Sequence, residues 1–333
     1  MSIEVRSIDD DSRWNEYLDH ASTPTPFHYA EVLDVLASAA DATLHRLGGF
    51  KGQEPVGLLP VFEADRGPVT GVFSPPPDLK VPYLGPTLVV RGDTPKRRRL
   101  DRQHHEFVEQ ALDHISTAIE PALVHIRTPP GYDDVRPFSW NEYKADPRYT
   151  YVIDLTKSEQ ALLDSFSSDA RRNVTDDYDA NYEICVGDTT DIERIVTQTT
   201  NRHAEQGEPF PIDASFVTDL YEAAPEGVVR PIVCRIDGEF TTGTVCLEAH
   251  DAATRWVGSA KPSCDIPAND LLDWEYCRRA SDRGVVSFDL AGANTPRIAE
   301  YKAKFAPGLV PYYRVKSASR TMDVAISLYN KLR

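Results

Sequence analysis

The side chains best able to do chemistry gather late in the chain. Lys302 and Lys304 follow closely on Asp289, Gly292 and Asn294, in a sequence with 10 lysines against 26 arginines. A lysine ammonium is a compact cation suited to a phosphate or to a developing oxyanion. Asp289 closes a strand expected over 285–290, and sites collect at the C-terminal ends of such strands. It fits a proton acceptor or a turn cap. Asn294 fits the cap of a helix over 296–305 with Pro296 in its first turn, and Tyr301 and Lys302 lie on that helix. Upstream, Lys261 closes a strand beside Trp256 and precedes a helix, a cation and an aromatic able to hold a phosphate or sugar. A core tryptophan and a surface lysine are the alternative. Arg202 and Glu205 share one helix face and could line a cleft or form an ordinary solvated pair. In the first half, His28 follows Thr25-Pro26-Phe27 and Tyr83 follows a triple-proline loop. Both are candidates for an acceptor pocket, although single His and Tyr residues are usually structural.

Other chemistries lose their motifs. The pair His104-His105 lies in no HExxH pattern, and the five cysteines form no CxxC pair. No metal site and no disulfide framework is therefore expected, and the thiols should be reduced. GxGxxG and GxxxxGK[ST] are absent, which removes the dinucleotide and P-loop readings. The basic run Lys96–Arg99 opens a helix, where cations oppose the dipole. A substrate phosphate, a tRNA backbone or the neighbouring Asp93 and Asp101 would resolve that conflict.

These groups must be carried by folded elements. Ile3–Ser7 alternates like a strand, and Asp11–His20 and His28–Ala39 have helical spacing. Thr43–Phe50, Pro55–Glu63 and Val69–Ser74 read as a strand meander, Tyr83–Val90 as extended. A helix runs from Asp93 to about Ile119, with Leu123–Arg127 a strand, Asp133–Asn141 a helix and Thr150–Asp154 a strand. The second half reads as a helix over Ser158–Ala180, a strand at Tyr182–Val186, and helices at Ile192–Gln206 and Ala214–Ala223. Strands follow at Val228–Ile236, Glu239–Ala249 and Thr254–Ser259, the first two joined by Asp237-Gly238, a hairpin signal. Then come a helix over Ala268–Arg283, a strand over Val285–Leu290, a helix over Pro296–Phe305, a strand over Leu309–Val315 and a helix over Met322–Leu332. Both halves give strand, two helices, three-strand meander, helix, strand, short helix, strand, an order that suggests duplication. The fold class is α/β in layers, with mixed, mostly antiparallel sheets flanked by helices.

That order, with Phe288-Asp289-Leu290-x-Gly292 followed by Tyr301-Lys302-x-x-Phe305, resembles the Fem-type members of the GNAT acyltransferase superfamily, which carry two such domains. Thr25-Pro26-Phe27-His28, Val56–Pro60 and Trp256–Leu272 are similar to further family segments. The resemblance implies two tandem GNAT-like domains, residues 1–150 plus 318–333 and residues 151–317. It implies an N-acyltransferase moving an acetyl, longer acyl or aminoacyl group to an amine in a cleft between them. Lys302 would contact a substrate phosphate, and replacing it should leave the melting curve intact. Acetyl-CoA or another acyl-CoA is the implied donor, although the loop Lys261–Pro267 has no glycine to cradle a diphosphate. Aminoacyl-tRNA is the other donor. A non-catalytic binding or scaffold protein is the alternative function.

Composition bounds the partners. The chain has 333 residues, 36 Lys+Arg against 52 Asp+Glu and a net charge of −16. That excess opposes DNA binding and docking on an anionic membrane face. Few lysines in an acidic chain suit a protein working in high salt, where charge is screened within a few ångströms. No apolar run is long enough to span a membrane and no signal peptide is legible, so a cytoplasmic protein is expected, acting on a small-molecule or phosphate-bearing amine acceptor.

Overall fold

The computed structural model describes residues 2–66, 69–92 and 96–317. The chain divides into two compact units, one running up to Arg148 and resuming at Pro311, the other running from Tyr149 to Val310. The expected terminal helix at Met322–Leu332 and the cap at Asp93 lie outside the described residues.

In the first unit, β1 (Glu4–Ser7), α1 (Asp11–Leu18) and α2 (Ala30–Ala40) lead into a meander of β2 (Thr43–Lys51), β3 (Glu54–Arg66) and β4 (Val69–Ser74). A two-residue strand, β5 (Thr87–Leu88), pairs with β3. Next come α3 (Arg97–His114), extended by a wider turn over Ile115–Ile119, then β6 (Leu123–Arg127), α4 (Arg136–Trp140) and the start of β7 (Tyr143–Asp154). β4 and β6 run parallel; the other pairings are antiparallel. β13 (Gly308–Ser317) lies antiparallel to β6 through Arg314–Lys316. The core packs Phe107, Val108 and Ala111 of α3 on Leu59, Val61, Val72, Val124, Ile126 and Val315.

The second unit begins with α5 (Glu159–Ser165) and α6 (Ser168–Thr175) and then repeats the element order of the first. β8 (Tyr182–Val186), α7 (Thr189–Glu205) and α8 (Ala214–Ala223) precede the meander β9 (Val229–Ile236), β10 (Glu239–Ala249) and β11 (Ala252–Gly258). α9 (Ala268–Asp282), β12 (Ser287–Asp289) and α10 (Pro296–Ala303) complete it. β11 and β12 are parallel, and β12 pairs antiparallel with the later part of β7. Local chemistry fixes several of these bounds. Asp188 and Asp191 cap α7 reciprocally. The β9–β10 turn places Asp237 at φ 54° and Gly238 at φ 81°, the left-handed pair a type I′ turn needs.

The single helix expected over Ser158–Ala180 is two. Phe166 is extended, with ψ 154°, and drops into the core against Trp274 and Phe305. The Ser167 hydroxyl then accepts the Ala170 N–H at 3.2 Å and starts a fresh helix. Ser167→Ala should lower stability by about 1 kcal/mol in urea unfolding. The extended stretch expected over Tyr83–Val90 forms a strand only at Thr87–Leu88, which pair with Leu58 and Gly57 of β3. Among the described residues, no helix is long and apolar enough to cross a membrane.

Candidate functional site

The site begins where two parallel strands of the second unit part. β11 pairs with β12 only through Ala252–Thr254, opposite Ser287–Asp289. After Asp289 the backbone turns left-handed at Ala291 (φ 56°) and Gly292 (φ 92°) and leaves the sheet. Beyond Thr254, β11 therefore runs on to Gly258 without a strand on that side among the described residues. A gap between the C-terminal ends of parallel strands is a natural ligand position, because backbone donors and acceptors face it.

Three residues hold the turn that opens this gap. The Thr150 hydroxyl donates to Asp289 Oδ1 and accepts the Gly292 N–H at 2.7 Å. Asp289 Oδ1 also accepts the Ala291 N–H at 2.8 Å. Lys302 Nζ reaches back from α10 and donates to the carbonyls of Leu290 (2.5 Å), Ala291 (2.9 Å) and Gly292 (3.0 Å). An ammonium has three N–H donors, so the turn engages all of them. Lys302 is 8% exposed. Burial, reinforced by nearby Arg255, lowers its pKa to about 8 against the opposing pull of Asp289 and Asp273.

A second cluster lies beside it, between β11, α9 and α10. Arg255 donates to Asp273 Oδ2 at 2.8 Å, and Asp273 is 1% exposed. Its other oxygen, Oδ1, is buried with no hydrogen-bond partner. Burial raises the Asp273 pKa and Asp270 adds to the rise, while Arg255 opposes it. Asp270 takes a bond from Tyr301 Oη at 2.9 Å, two from Lys304 Nζ at 2.7 Å and one from Asn173 at 2.7 Å. Burial, then the Asp273 charge, holds the Tyr301 phenol well above its ordinary pKa. The gap is thus bordered by buried cations and carboxylates, an arrangement able to stabilise developing charge and to take up a proton.

The candidates read from the sequence separate accordingly. Asp289, Asn294, Tyr301 and Lys302 come together around the turn, where Asn294 exchanges hydrogen bonds with the Tyr149 backbone at 3.0 and 2.9 Å. Trp256 points away from Arg255 and stacks edge-on to Phe216 of α8 at 5.7 Å. Lys261 is exposed on its loop. Arg202 and Glu205 form an exposed pair at 2.8 Å on α7, worth little. Arg202→Ala should change stability by less than about 0.5 kcal/mol in a thermal melt. His28 and Tyr83 belong to the first unit. His28 is fully buried, with Nδ1 accepting the Thr25 N–H at 3.1 Å and Nε2 meeting the Gly85 carbonyl at 3.1 Å. It ties the entry of α2 to the 85 loop. Tyr83 is buried edge-on to Tyr312 at 4.7 Å. Of the Lys96–Arg99 run, Arg97 pairs with Asp101 at 2.8 Å on the solvent face.

Thr150, Arg255, Asp270 and Asp273 belong to no sequence motif. For the three charged ones the signal is a charge in a buried stretch: Asp270 and Asp273 lie among the buried residues of α9, and Arg255 follows buried Ala253 and Thr254 on its strand.

The coenzyme fit is poor at one point. The helix start that would receive a diphosphate has Pro267 as its N-cap and the buried acid Asp270 in its first turn. An anion there would meet a carboxylate rather than free N–H groups.

Residues 167–303 match the family model described as the acetyltransferase (GNAT) domain. No curated protein matches the chain. Among solved structures, FemX superposes with a TM-score of 0.72 at 11% identity, covering 93% of this chain and 96% of that one. The C-terminal domain of a putative lysylphosphatidylglycerol synthetase from Agrobacterium fabrum gives 0.55 at 15% identity, over 97% and 96%. L-PGS from Bacillus licheniformis gives 0.56 at 12% identity, over 97% and 96%. At these identities the likeness is one of fold.

Proposed function

Since the chain carries a GNAT acetyltransferase domain over residues 167–303, we propose that it is an acyltransferase whose reaction takes place at the gap between β11 and β12. The donor's acyl group would lie alongside the edge of β11 after Thr254 that β12 leaves open, where the strand's backbone can hydrogen-bond it. As the amine nitrogen bonds to the acyl carbon and the donor's C–O or C–S bond breaks, Asp273, with one buried oxygen unpartnered, would accept the amine proton and return it to the departing oxygen or sulfur, and Arg255 beside it would stabilise the charge that develops. Lys302 and Asp289 would act as positioning residues that hold the 290–292 turn open. The observation that carries this reading is a cluster of buried cations and carboxylates placed where two parallel strands part.

The acceptor would be an amine on a small or phosphate-bearing molecule. The donor reading leans toward an aminoacyl ester. The helix start at Pro267 offers a coenzyme diphosphate no open cradle, and the structures with TM-scores above 0.5 include FemX and a lysylphosphatidylglycerol synthetase. No step here depends on coenzyme A. One observation favours a non-catalytic binding protein instead: every donor of Lys302 is engaged within its own turn. Thermal melting with acetyl-CoA, a longer acyl-CoA and aminoacyl-tRNA separates the donors. A donor at about 100 Kd should stabilise the protein by about 2.7 kcal/mol. Stabilisation by one donor with transfer supports catalysis, and stabilisation without transfer supports the binding role.

A further inference from the structure

The first unit has its own place where two parallel strands end side by side, and its own chain fills it. β4 and β6 hold the positions in the element order that β11 and β12 hold in the second unit, and both pairs run parallel. β4 pairs with β6 through Gly71–Ser74, opposite Leu123–Ile126. Where that pairing stops, the chain returns. The Leu84 N–H donates to the carbonyl of Arg127, the next residue of β6, at 3.1 Å. The Gly85 N–H donates to the hydroxyl of Ser74, the last residue of β4, at 2.9 Å. Two consecutive residues thus bridge the two strand ends, where backbone groups would otherwise face a ligand.

The segment is fixed from every side. Ser74 Oγ donates onward to the Pro60 carbonyl at 2.6 Å, and Ser74 and Leu84 are both fully buried. The Gly85 carbonyl meets His28 Nε2 at 3.1 Å. Gly85 has φ 70°, and a Cβ there would lie 2.9 Å from the Arg127 carbonyl oxygen and 3.1 Å from Thr128 Cα, so backbone packs directly on backbone. Beyond it Thr87–Leu88 pair with β3, and the Ser22 N–H donates to the Leu88 carbonyl at 2.8 Å. A ligand taking this place would strand buried donors and acceptors at both strand ends at once. That makes the segment a permanent part of the fold and not a lid.

The chemistry beside the two gaps also differs. α9 buries the carboxylates of Asp270 and Asp273. Its counterpart in the first unit, α3, buries His104, Phe107, Val108, Ala111 and Leu112 and no carboxylate. His104 is itself engaged, with Nε2 meeting the Tyr132 hydroxyl at 2.5 Å.

We propose that the first unit is a closed copy of the donor site, with Leu84 and Gly85 as its built-in occupant, and that each chain binds and uses one donor, in the second unit alone. The stoichiometry rests on the reading of the β11–β12 gap as the donor site; the closure stands without it.

The test uses the full chain with acetyl-CoA and with aminoacyl-tRNA as probes, in calorimetric titration and in hydrogen exchange read by mass spectrometry. In the free chain, peptides covering 83–89 should exchange as slowly as those of β3, because their amides donate to buried partners. A probe that binds should do so at one per chain, slow exchange over 254–259 and leave 83–89 unchanged. Ser74→Ala removes the bridge to Gly85. It should speed exchange over 83–89 by about tenfold and leave the transfer rate at the wild-type value. The wild-type readouts carry the test alone if Ser74→Ala fails to fold. Two donors per chain, slowing over 83–89 on donor binding, or a loss of transfer in Ser74→Ala as large as in Asp273→Asn would overturn the proposal. If neither probe binds, the donor reading of the second unit fails, and the free chain still decides the closure: slow exchange over 83–89 upholds it and rapid exchange refutes it.

Discussion

Lys302→Met lowers both stability and transfer. Methionine keeps much of the side-chain volume but takes away three donors, leaving the carbonyls of Leu290, Ala291 and Gly292 without their shared partner. It also removes the cation beside Asp289, whose pull on Lys302 shows that the two charges are coupled. Leaving those buried carbonyls without their donor costs about 2–4 kcal/mol, which urea unfolding would resolve. Transfer should fall roughly 100-fold, because a turn displaced by about 1 Å misplaces the groups it borders. A surface lysine that only touched a substrate phosphate would give a different pattern, with weaker substrate binding and an unchanged melting curve. The melting curve therefore separates the two roles. Lys302→Arg, which keeps the charge but not the compact three-donor head, should recover part of the stability and little of the transfer.

The second large effect is acid sensitivity arising in the first unit. His28 is fully buried and desolvation lowers its pKa from 6.5 to about 4, against the opposing pull of its bonds to Gly85 and Thr25. The unfolded chain takes up this proton near pH 6.5 and the folded one does not until about pH 4. The contribution is complete above pH 6.5 and is lost progressively as the pH falls toward 4, amounting to about 3 kcal/mol. His104, lowered to about 4 chiefly by burial, acts in the same direction. Urea midpoints measured between pH 7 and pH 4.5 should fall steeply, and His28→Gln should flatten the slope. An equally steep fall in His28→Gln would show that other groups set the acid limit.

The elements that sequence located best are those with local causes. The Asp237-Gly238 turn joins β9 and β10 and is readable from two residues, whereas the Asp188 cap starts α7 at Thr189, ahead of the expected Ile192. The break at Phe166 was not readable, because Ser167 is as good a cap as it is a passable helix residue. What decides is Phe166 packing on Trp274 and Phe305, far along the chain. Lys302 could be found through resemblance, but its three carbonyl partners depend on the left-handed backbone at Ala291 and Gly292. Arg255 and Asp273 belong to no motif. In the sequence each reads as an ordinary charge; the strand and helix bring them together in the interior.

The most direct test of the proposed reaction is single-turnover transfer of a radiolabelled acyl group, from acyl-CoA or aminoacyl-tRNA, to an amine acceptor by wild type and Asp273→Asn. Asparagine keeps the shape of Asp273 and can still accept from Arg255, so the fold should survive while the proton acceptor is lost. Labelled product from wild type with one of these donors, and a rate at least 100-fold lower in Asp273→Asn, is the expected result. Equal rates in the two proteins, or a wild type that binds a donor tightly and transfers nothing, would contradict it.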